Sequence, residues 1–391
     1  RQGPSRRAPL QRRITGGYEA YILGKAQVLR LPRLRSYRPD RFPNPPYTVV
    51  RSHFEAWFAQ EAVNTGAELC TETLVEDLLW ENGRVSGVRT RRGDLKARVV
   101  IGADGINSTV AEQAGLLDPL PPSEVSLIVR QVLSLPAECI EERFNLRPGE
   151  GILSLYFGPV IGANGNKGTY YSEMYTNLDS LSLTVEAPLD VVQSCGVPVY
   201  EVLATREAHP FIAGLIRGAT LREYQAHLIP RGGIDSLDRL LGDGVLLAGD
   251  AGKFTTKDGV GSWTAMASGI AAAKTVKHAC QTGNYSKAGL GVYRDFLDRE
   301  GLVDTQREAR QDWAGSRPFD TLLSDRPEQI RHLAARYSEE WLAEGNEYPC
   351  SLLGEAYHEV VKPLAPWYIR WPMGVGAWVD TLRWQKGQAR K

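Results

Sequence analysis

The sequence predicts an α/β protein with a buried parallel sheet, an inserted and mostly antiparallel sheet, and a helical C-terminal region. Three observations carry that reading. Two apolar runs, Val99-Val100-Ile101 and Val245-Leu246-Leu247-Ala248, each end in a turn containing Gly and Asp, as strands covered on both faces do. Between them, strand-like runs at residues 126–132, 151–157, 168–175 and 180–186 are broken by Gly, Pro and Asn, the texture of an antiparallel sheet. Beyond residue 301 the chain reads as helical and rich in aromatics.

The chain opens on a basic, irregular stretch, RQGPSRRAPLQRR. Thr48-Val49-Val50 then leads into Arg51 and a segment in which Phe54, Trp57, Phe58 and Ala62 keep helical spacing. Gly66-Ala67-Glu68-Leu69 is expected to begin the next strand, which continues past Val75. On spacing alone, Arg51 reads either as a solvated surface arginine or as a ligand contact.

Residues 97–108, ARVVIGADGINS, give a buried strand that turns sharply through Gly102, Ala103, Asp104 and Gly105. A lone turn of this kind is common in α/β proteins. In the middle of the chain, Tyr156, Tyr170, Tyr171 and Tyr175 lie on the expected strands, either lining a cavity or packing within the sheet. Residues 202–215 read as a helix.

Residues 244–273, GVLLAGDAGKFTTKDGVGSWTAMASGIAAA, are the most informative. At Gly249-Asp250-Ala251 small residues let the backbone approach a ligand. The Asp250 carboxylate leaves the C-terminal edge of the strand, where open α/β sheets bind cofactors. The loop through Gly259, Val260 and Gly261 precedes Ser262, which opens a helix of small residues. A helix N-terminus presents unpaired N–H groups and partial positive charge. The plainer alternative is a buried strand, loop and helix with a surface aspartate.

Taken in this order, the motifs resemble flavoproteins with the glutathione-reductase type of FAD-binding fold. Residues 244–273 resemble the second FAD-binding motif, whose Asp bonds the ribitol chain and whose Gly-rich turn and helix sit at the isoalloxazine ring. Residues 97–108 resemble the "GADG…S" element beside the pyrophosphate. The pattern V-x-R-x-x-F-x-x-W followed by G-A-x-L resembles the segment whose Arg reaches the FAD and whose next strand, near Val75, passes the adenine. His227-Leu228-Ile229-Pro230-Arg231-Gly232-Gly233 and the following Leu240-Leu241-Gly242-Asp243-Gly244-Val245 complete the likeness. Over roughly residues 10 to 300 the chain resembles the geranylgeranyl-reductase superfamily, and within it the FixC-type electron-transfer-flavoprotein:quinone oxidoreductases.

The resemblance implies FAD as cofactor, contacted by Arg51, Val75, Asp104, Gly105, Gly249, Asp250, Ala251, Gly259, Val260, Gly261 and Ser262. It assigns no catalytic residue and no metal ligand. The chain departs from the family in lacking an initial strand with G-x-G-x-x-G, which would hold the pyrophosphate. It starts at a point resembling some tens of residues into the family, either as a fragment or after loss of the first βαβ unit. The fold expected is therefore the FAD-binding fold, N-terminally incomplete. Its first part is residues 1–121, a substrate or cap sheet occupies 122–232, the second part is 233–300, and 301–391 form a helical region.

Composition narrows the function. Lys+Arg and Asp+Glu are each 46, so no net field recruits nucleic acid. No run of about 18 apolar residues is long enough to span a bilayer. The five cysteines are scattered and form no C-x-x-C, which argues against a zinc or iron–sulfur site and fits a reducing, cytoplasmic setting. If a cluster is needed, the resemblance implies a ferredoxin-like partner. The six histidines form no metal spacing and none is assigned a catalytic role.

Residues 362–384 gather four Trp, one Tyr and several basic groups. That content suits either peripheral attachment to the inner face of a membrane or an aromatic flap over the flavin domain. The expected function is an FAD-dependent oxidoreductase that takes electrons from an electron-transfer flavoprotein and passes them to a quinone. Two rivals stay open: an isoprenoid double-bond reductase with a lipid substrate, and a non-catalytic remnant acting as a binding subunit.

Overall fold

A computed structural model describes residues 8–23, 28–30, 46–158, 160–168, 170–231, 233, 237–256 and 260–315. In chain order these form β1 (Arg13–Leu23), β2 (Val28–Arg30), α1 (Arg51–Asn64), β3 (Val75–Glu81), β4 (Arg84–Thr90), β5 (Gly93–Lys96), β6 (Val100–Gly102) and α2 (Thr109–Gln113). Next come β7 (Val125–Ser134), α3 (Ala137–Phe144), β8 (Glu150–Phe157), β9 (Val160–Ile161), β10 (Lys167–Gly168), β11 (Tyr171–Thr176) and β12 (Ser180–Pro188). The remainder is α4 (Leu189–Cys195), α5 (Val199–Ala208), α6 (Pro210–Ile216), β13 (Thr220–Pro230), β14 (Leu241–Gly242), β15 (Val245–Leu247), α7 (Ser262–Thr282), α8 (Lys287–Leu290), α9 (Tyr293–Arg299) and α10 (Leu302–Gly315).

The largest sheet has seven strands in the order β13-β7-β12-β11-β8-β1-β2. Every pairing is antiparallel except β1 with β8. β1, inside the stretch assigned above to the first flavin-binding part, is thus hydrogen-bonded into this large sheet. Side chains alternate across a strand, and the two faces have different fates. Leu181, Leu183 and Val185 of β12 pack with Val199, Val202, Leu203 and Ile212 from α5 and α6 in a buried apolar core. The alternate residues Ser182, Thr184 and Glu186 share the other face with Ile128 and Arg130 of β7 and with Tyr171, Glu173 and Tyr175 of β11. Tyr156 and Tyr170 fall in the apolar core, so the four tyrosines divide equally between packing and the open face.

One residue ties the chain's start to this sheet. Arg12 is completely buried. Its guanidinium donates to the carbonyls of Asn177 (2.5 Å), Leu178 (3.1 Å) and Glu150 (3.1 Å) and to the Glu141 carboxylate at 2.8 Å.

A second core joins the small sheet β14-β15-β6 to the β3-β4-β5 meander and to α2, α7 and α9. Leu246 and Leu247 of β15 are fully buried there. Three local expectations change. Residues 67–74 form no strand, and the strand starts at Val75; Leu69 and Leu74 are 57% and 59% exposed, so no core face recruits them. The helix expected over 202–215 is two helices, because His209 is extended (ψ 128°) ahead of Pro210, and residues before proline avoid helical geometry. The strand expected over 168–175 is split between β10 and β11.

Candidate functional site

The two Asp-bearing turns leave the same end of one sheet. β15 runs parallel to β6, with Val245 opposite Val100 and Leu247 opposite Gly102. The Ala248 N–H continues the ladder onto the Gly102 carbonyl at 2.9 Å. Asp104 and Asp250 therefore both emerge at the C-terminal edge of a parallel pair, the edge open α/β sheets use for ligands.

Gly249 carries the bend at φ +60°, a conformation that favours glycine. Its N–H donates to Ser268 Oγ of α7 at 2.9 Å. Asp250 follows in a tight turn with Ala251, which is buried. Thr264 Oγ1 donates to the Phe254 carbonyl at 2.9 Å, which locks this loop onto the first turn of α7. Gly261 precedes α7 and supplies no side-chain cap, so the first-turn N–H groups stay open to another acceptor. A Cβ on Gly261 would lie 3.1 Å from Asp250 Oδ1, so a larger residue there would crowd the carboxylate.

Asp250 accepts no hydrogen bond on its side chain from the described residues. Burial pushes its carboxyl above the ordinary Asp range, while the positive charge of Arg51 pulls it back down. Arg51 begins α1, where its Nη1 donates to Ser262 Oγ at 3.1 Å and its other nitrogens hold Glu55. The N-termini of α1 and α7 thus meet beside Asp250.

The remaining expected contacts have other surroundings. Asp104 accepts from Ser108 Oγ at 2.6 Å and from the Val110 N–H at 3.2 Å, which caps α2. Gly105 takes φ +83° in the same turn. Val75 opens β3 opposite Thr90. Among the described residues, no hydrogen bond or ion pair joins Asp104 or Val75 to Arg51 and Asp250. Val260 is half exposed, and Gly259 lies outside the described residues.

A polar group on the open face of the large sheet adjoins this edge. Ser52 of α1 donates to Glu223 of β13 at 2.7 Å. On β13, His227 pairs with Ile128 and Gln225 with Arg130. Burial lowers the His227 imidazole below its usual range, and the charges of Arg130 and Arg51 lower it further. Arg130 Nε donates to Thr184 Oγ1 at 3.0 Å, and its guanidinium lies over Tyr175 at 5.7 Å. Glu173 is 4.0 Å from Arg130. Burial raises the Glu173 carboxyl above the ordinary Glu range, against the opposing pull of Arg130. Sequence reading missed this group, although the alternation Y-S-E-M-Y over residues 171–175 does put Glu173 on the same face as two tyrosines.

No cluster of metal-binding side chains exists among the described residues. The four cysteines among them are free, and Cys350 lies outside. The residues at the sheet edge fit a flavin's ribitol and ring. An acceptor carboxylate without a donor, a glycine that keeps the approach clear and an uncapped helix start suit a polyhydroxyl chain joined to an electron-accepting ring.

No family model matches the chain. FixC of Escherichia coli K12 is 38% identical over 262 residues, covering 66% of this chain and 60% of that protein. FixC of Azotobacter vinelandii is 39% identical over 284 residues, covering 70% of this chain and 64% of that protein. The probable electron transfer flavoprotein-quinone oxidoreductase YdiS of E. coli K12 is 31% identical over 308 residues, covering 78% of this chain and 70% of that protein. The chain therefore spans about 60% of the length of the E. coli FixC protein. Among solved structures, a geranylgeranyl bacteriochlorophyll reductase-like protein from Thermoplasma acidophilum superposes with TM-score 0.61 at 18% identity, over 91% of this chain and 83% of that one. The flavin-dependent brominase Bmp2 gives TM-score 0.55 at 18% identity, over 93% of this chain and 92% of that one. These two likenesses establish the fold.

Proposed function

The chain belongs to the family of FixC proteins and electron transfer flavoprotein–quinone oxidoreductases, and from that premise we propose that it works as an FAD-dependent oxidoreductase delivering electrons to a quinone-like acceptor. The observation that carries this reading is the half-buried Asp250 carboxylate, unbonded among the described residues, beside Gly261 and the Arg51–Ser262 hydrogen bond. FAD, when bound, supplies the redox chemistry.

The protein's own residues would bind and orient. Asp250 would accept from a ribitol hydroxyl. Gly249, Ala251, Val260 and Gly261, with Gly259, would bring backbone close to the ring. The first turn of α7 from Ser262 would stabilise negative charge on it. Arg51 would hold the α7 N-terminus in place and balance the Asp250 charge. Asp104 and Gly105 would shape the neighbouring turn at the pyrophosphate side, and Val75 would pass the adenine.

The polar open face of the large sheet, with Arg130, Glu173, Thr184 and His227, supports an acceptor with a polar ring over an isoprenoid tail. An electron-transfer flavoprotein is the proposed donor, and a ferredoxin-like protein would carry any cluster the relay needs. The described residues contain no helix long and apolar enough to cross a membrane. Attachment to the inner face of the membrane is proposed for residues 362–384, which lie outside the described residues. Truncation before residue 362 is then expected to lower co-sedimentation with anionic liposomes, and equal partitioning would remove that role.

The test of the central reading is direct. The purified chain should bind added FAD weakly, with a shifted visible spectrum, and Asp250→Ala should bind it more weakly still. Equal affinity of the two proteins would remove Asp250 from the site.

A further inference from the structure

On the open face of the seven-stranded sheet one acid stands apart. Glu173 keeps a third of its side chain accessible, yet burial still raises its carboxyl. It sits on a polar face with Thr184 as its cross-strand neighbour and Tyr171 and Tyr175 two residues away on either side. Its carboxyl accepts no hydrogen bond from the described residues, and the nearest cation, Arg130, stands off at 4.0 Å. The Arg130 guanidinium is instead committed to Thr184 and to the Tyr175 ring. Thr184 and Leu155 are the cross-strand neighbours of Glu173, Tyr171, Tyr175 and Glu186 share its face, and the Arg231 guanidinium lies over the Tyr171 ring at 5.7 Å.

This face adjoins the Asp250 edge through α1, whose Ser52 bonds Glu223 of β13 and whose Arg51 bonds Ser262. Arg130 lies diagonally across the β7–β13 ladder from His227. The charges of Arg130 and Arg51 both act on the His227 imidazole, and Arg51 reaches Ser262 beside Asp250. Carboxylic acids kept protonated by a poorly hydrated site serve as proton donors near neutral pH.

We propose that Glu173 is the proton donor to a carbonyl oxygen of a quinone-type acceptor held against this sheet face beside Arg130. This rests on the flavin reading above, because the reductant is the two-electron-reduced flavin. The acceptor ring takes up the electron pair, and the proton that reduced flavin gives up on oxidation passes to water. One of its oxygens forms an O–H bond as the Glu173 carboxyl O–H bond breaks, and the second oxygen takes a proton from water. Water then restores the Glu173 proton through the accessible third of the side chain.

Two measurements test the proposal. In the first, which needs no flavin, the infrared carboxyl band lost in Glu173→Gln is titrated in the whole chain. Its midpoint should lie above the ordinary Glu value of about 4.3 and rise further in Arg130→Gln. A midpoint at the ordinary value, or one that ignores Arg130, overturns the proposal. In the second, the flavin-loaded protein is reoxidised with decylubiquinone, which takes up protons, and with ferricyanide, which takes up electrons only. Glu173→Gln should lower the ratio of quinone to ferricyanide rates by about 100-fold, the scale of one general acid. The wild-type quinone rate should fall as pH rises through the infrared midpoint, since only the protonated acid can donate. An unchanged ratio overturns the proposal, whether both rates fall together or neither moves. Failure to load FAD at all would instead defeat the flavin reading, and the infrared titration would still decide on Glu173.

Discussion

Arg51 and Ser262, 211 residues apart, share a hydrogen bond of 3.1 Å between the first turns of two helices. The same guanidinium is held by Glu55 one turn along α1, so it is fixed from both sides. Its charge acts on Asp250 and on His227, which couples the sheet edge to the open face of the large sheet.

Asp250→Ala is expected to weaken FAD binding by about 1–3 kcal/mol, the scale of a lost charge-assisted hydrogen bond. Isothermal titration of the purified protein measures it. The pH dependence has a definite sign. Burial raises the Asp250 carboxyl, so affinity should drop on acidification through a midpoint above that of an ordinary aspartate. Removing the opposing charge with Arg51→Ala should move that midpoint to higher pH.

The same shift predicts stability. A group whose folded pKa is raised binds its proton more tightly in the native state, so its ionised form opposes folding above that pKa. Asp250→Asn should therefore make the flavin-free protein more stable at neutral pH, and the gain should shrink as pH falls below the raised midpoint and vanish near the ordinary Asp value of about 3.9. Denaturant melts at several pH values would show it. A constant difference across pH would place the effect in packing rather than in charge.

Two glycines at α7 should respond in opposite ways. Gly261→Ala sets a Cβ 3.1 Å from Asp250 Oδ1 and should weaken FAD binding by about 1 kcal/mol, a typical cost of local crowding. Gly269, inside the helix, has nothing within 4 Å of a new Cβ. Gly269→Ala should raise stability by about 0.5–1 kcal/mol through helix propensity and leave FAD affinity alone. Paired melting and titration curves separate the two.

Arg12→Ala should be severe. It removes the partner of Glu141 and leaves three carbonyls without their donor, a loss of about 3–5 kcal/mol for a broken buried ion pair. Chemical denaturation is the measurement, and a loss below about 1 kcal/mol, typical of surface pairs, would mean that water reaches the site.

How much was legible in the sequence follows from how local each signal was. The strand–turn motifs at Val100–Gly102 and Val245–Leu247 were legible because buried parallel strands are apolar throughout and end abruptly. The start of α7 at Ser262 was legible from its run of small residues. The expected strand from Gly66 was not realised because apolar letters there lacked a core to face. His209 and Pro210 broke one expected helix by a backbone rule that the periodicity hid. Glu173, Arg130 and His227 escaped detection because their meeting depends on the registers of β11, β12, β7 and β13, which no local pattern specifies.

The parallel pairing of β1 with β8 has a consequence in time. Arg12, at the entrance to β1, donates to the Glu150 carbonyl 138 residues further along the chain. At about 5–20 residues per second of synthesis, on the order of ten seconds separate the emergence of the two partners. Over that interval β1 has neither its parallel neighbour nor the acceptors for the Arg12 guanidinium. Long-range pairings of this kind form late and slowly. The large sheet therefore joins β1 to β8 only after β8 exists, and until then β1 has β2 alone as its partner.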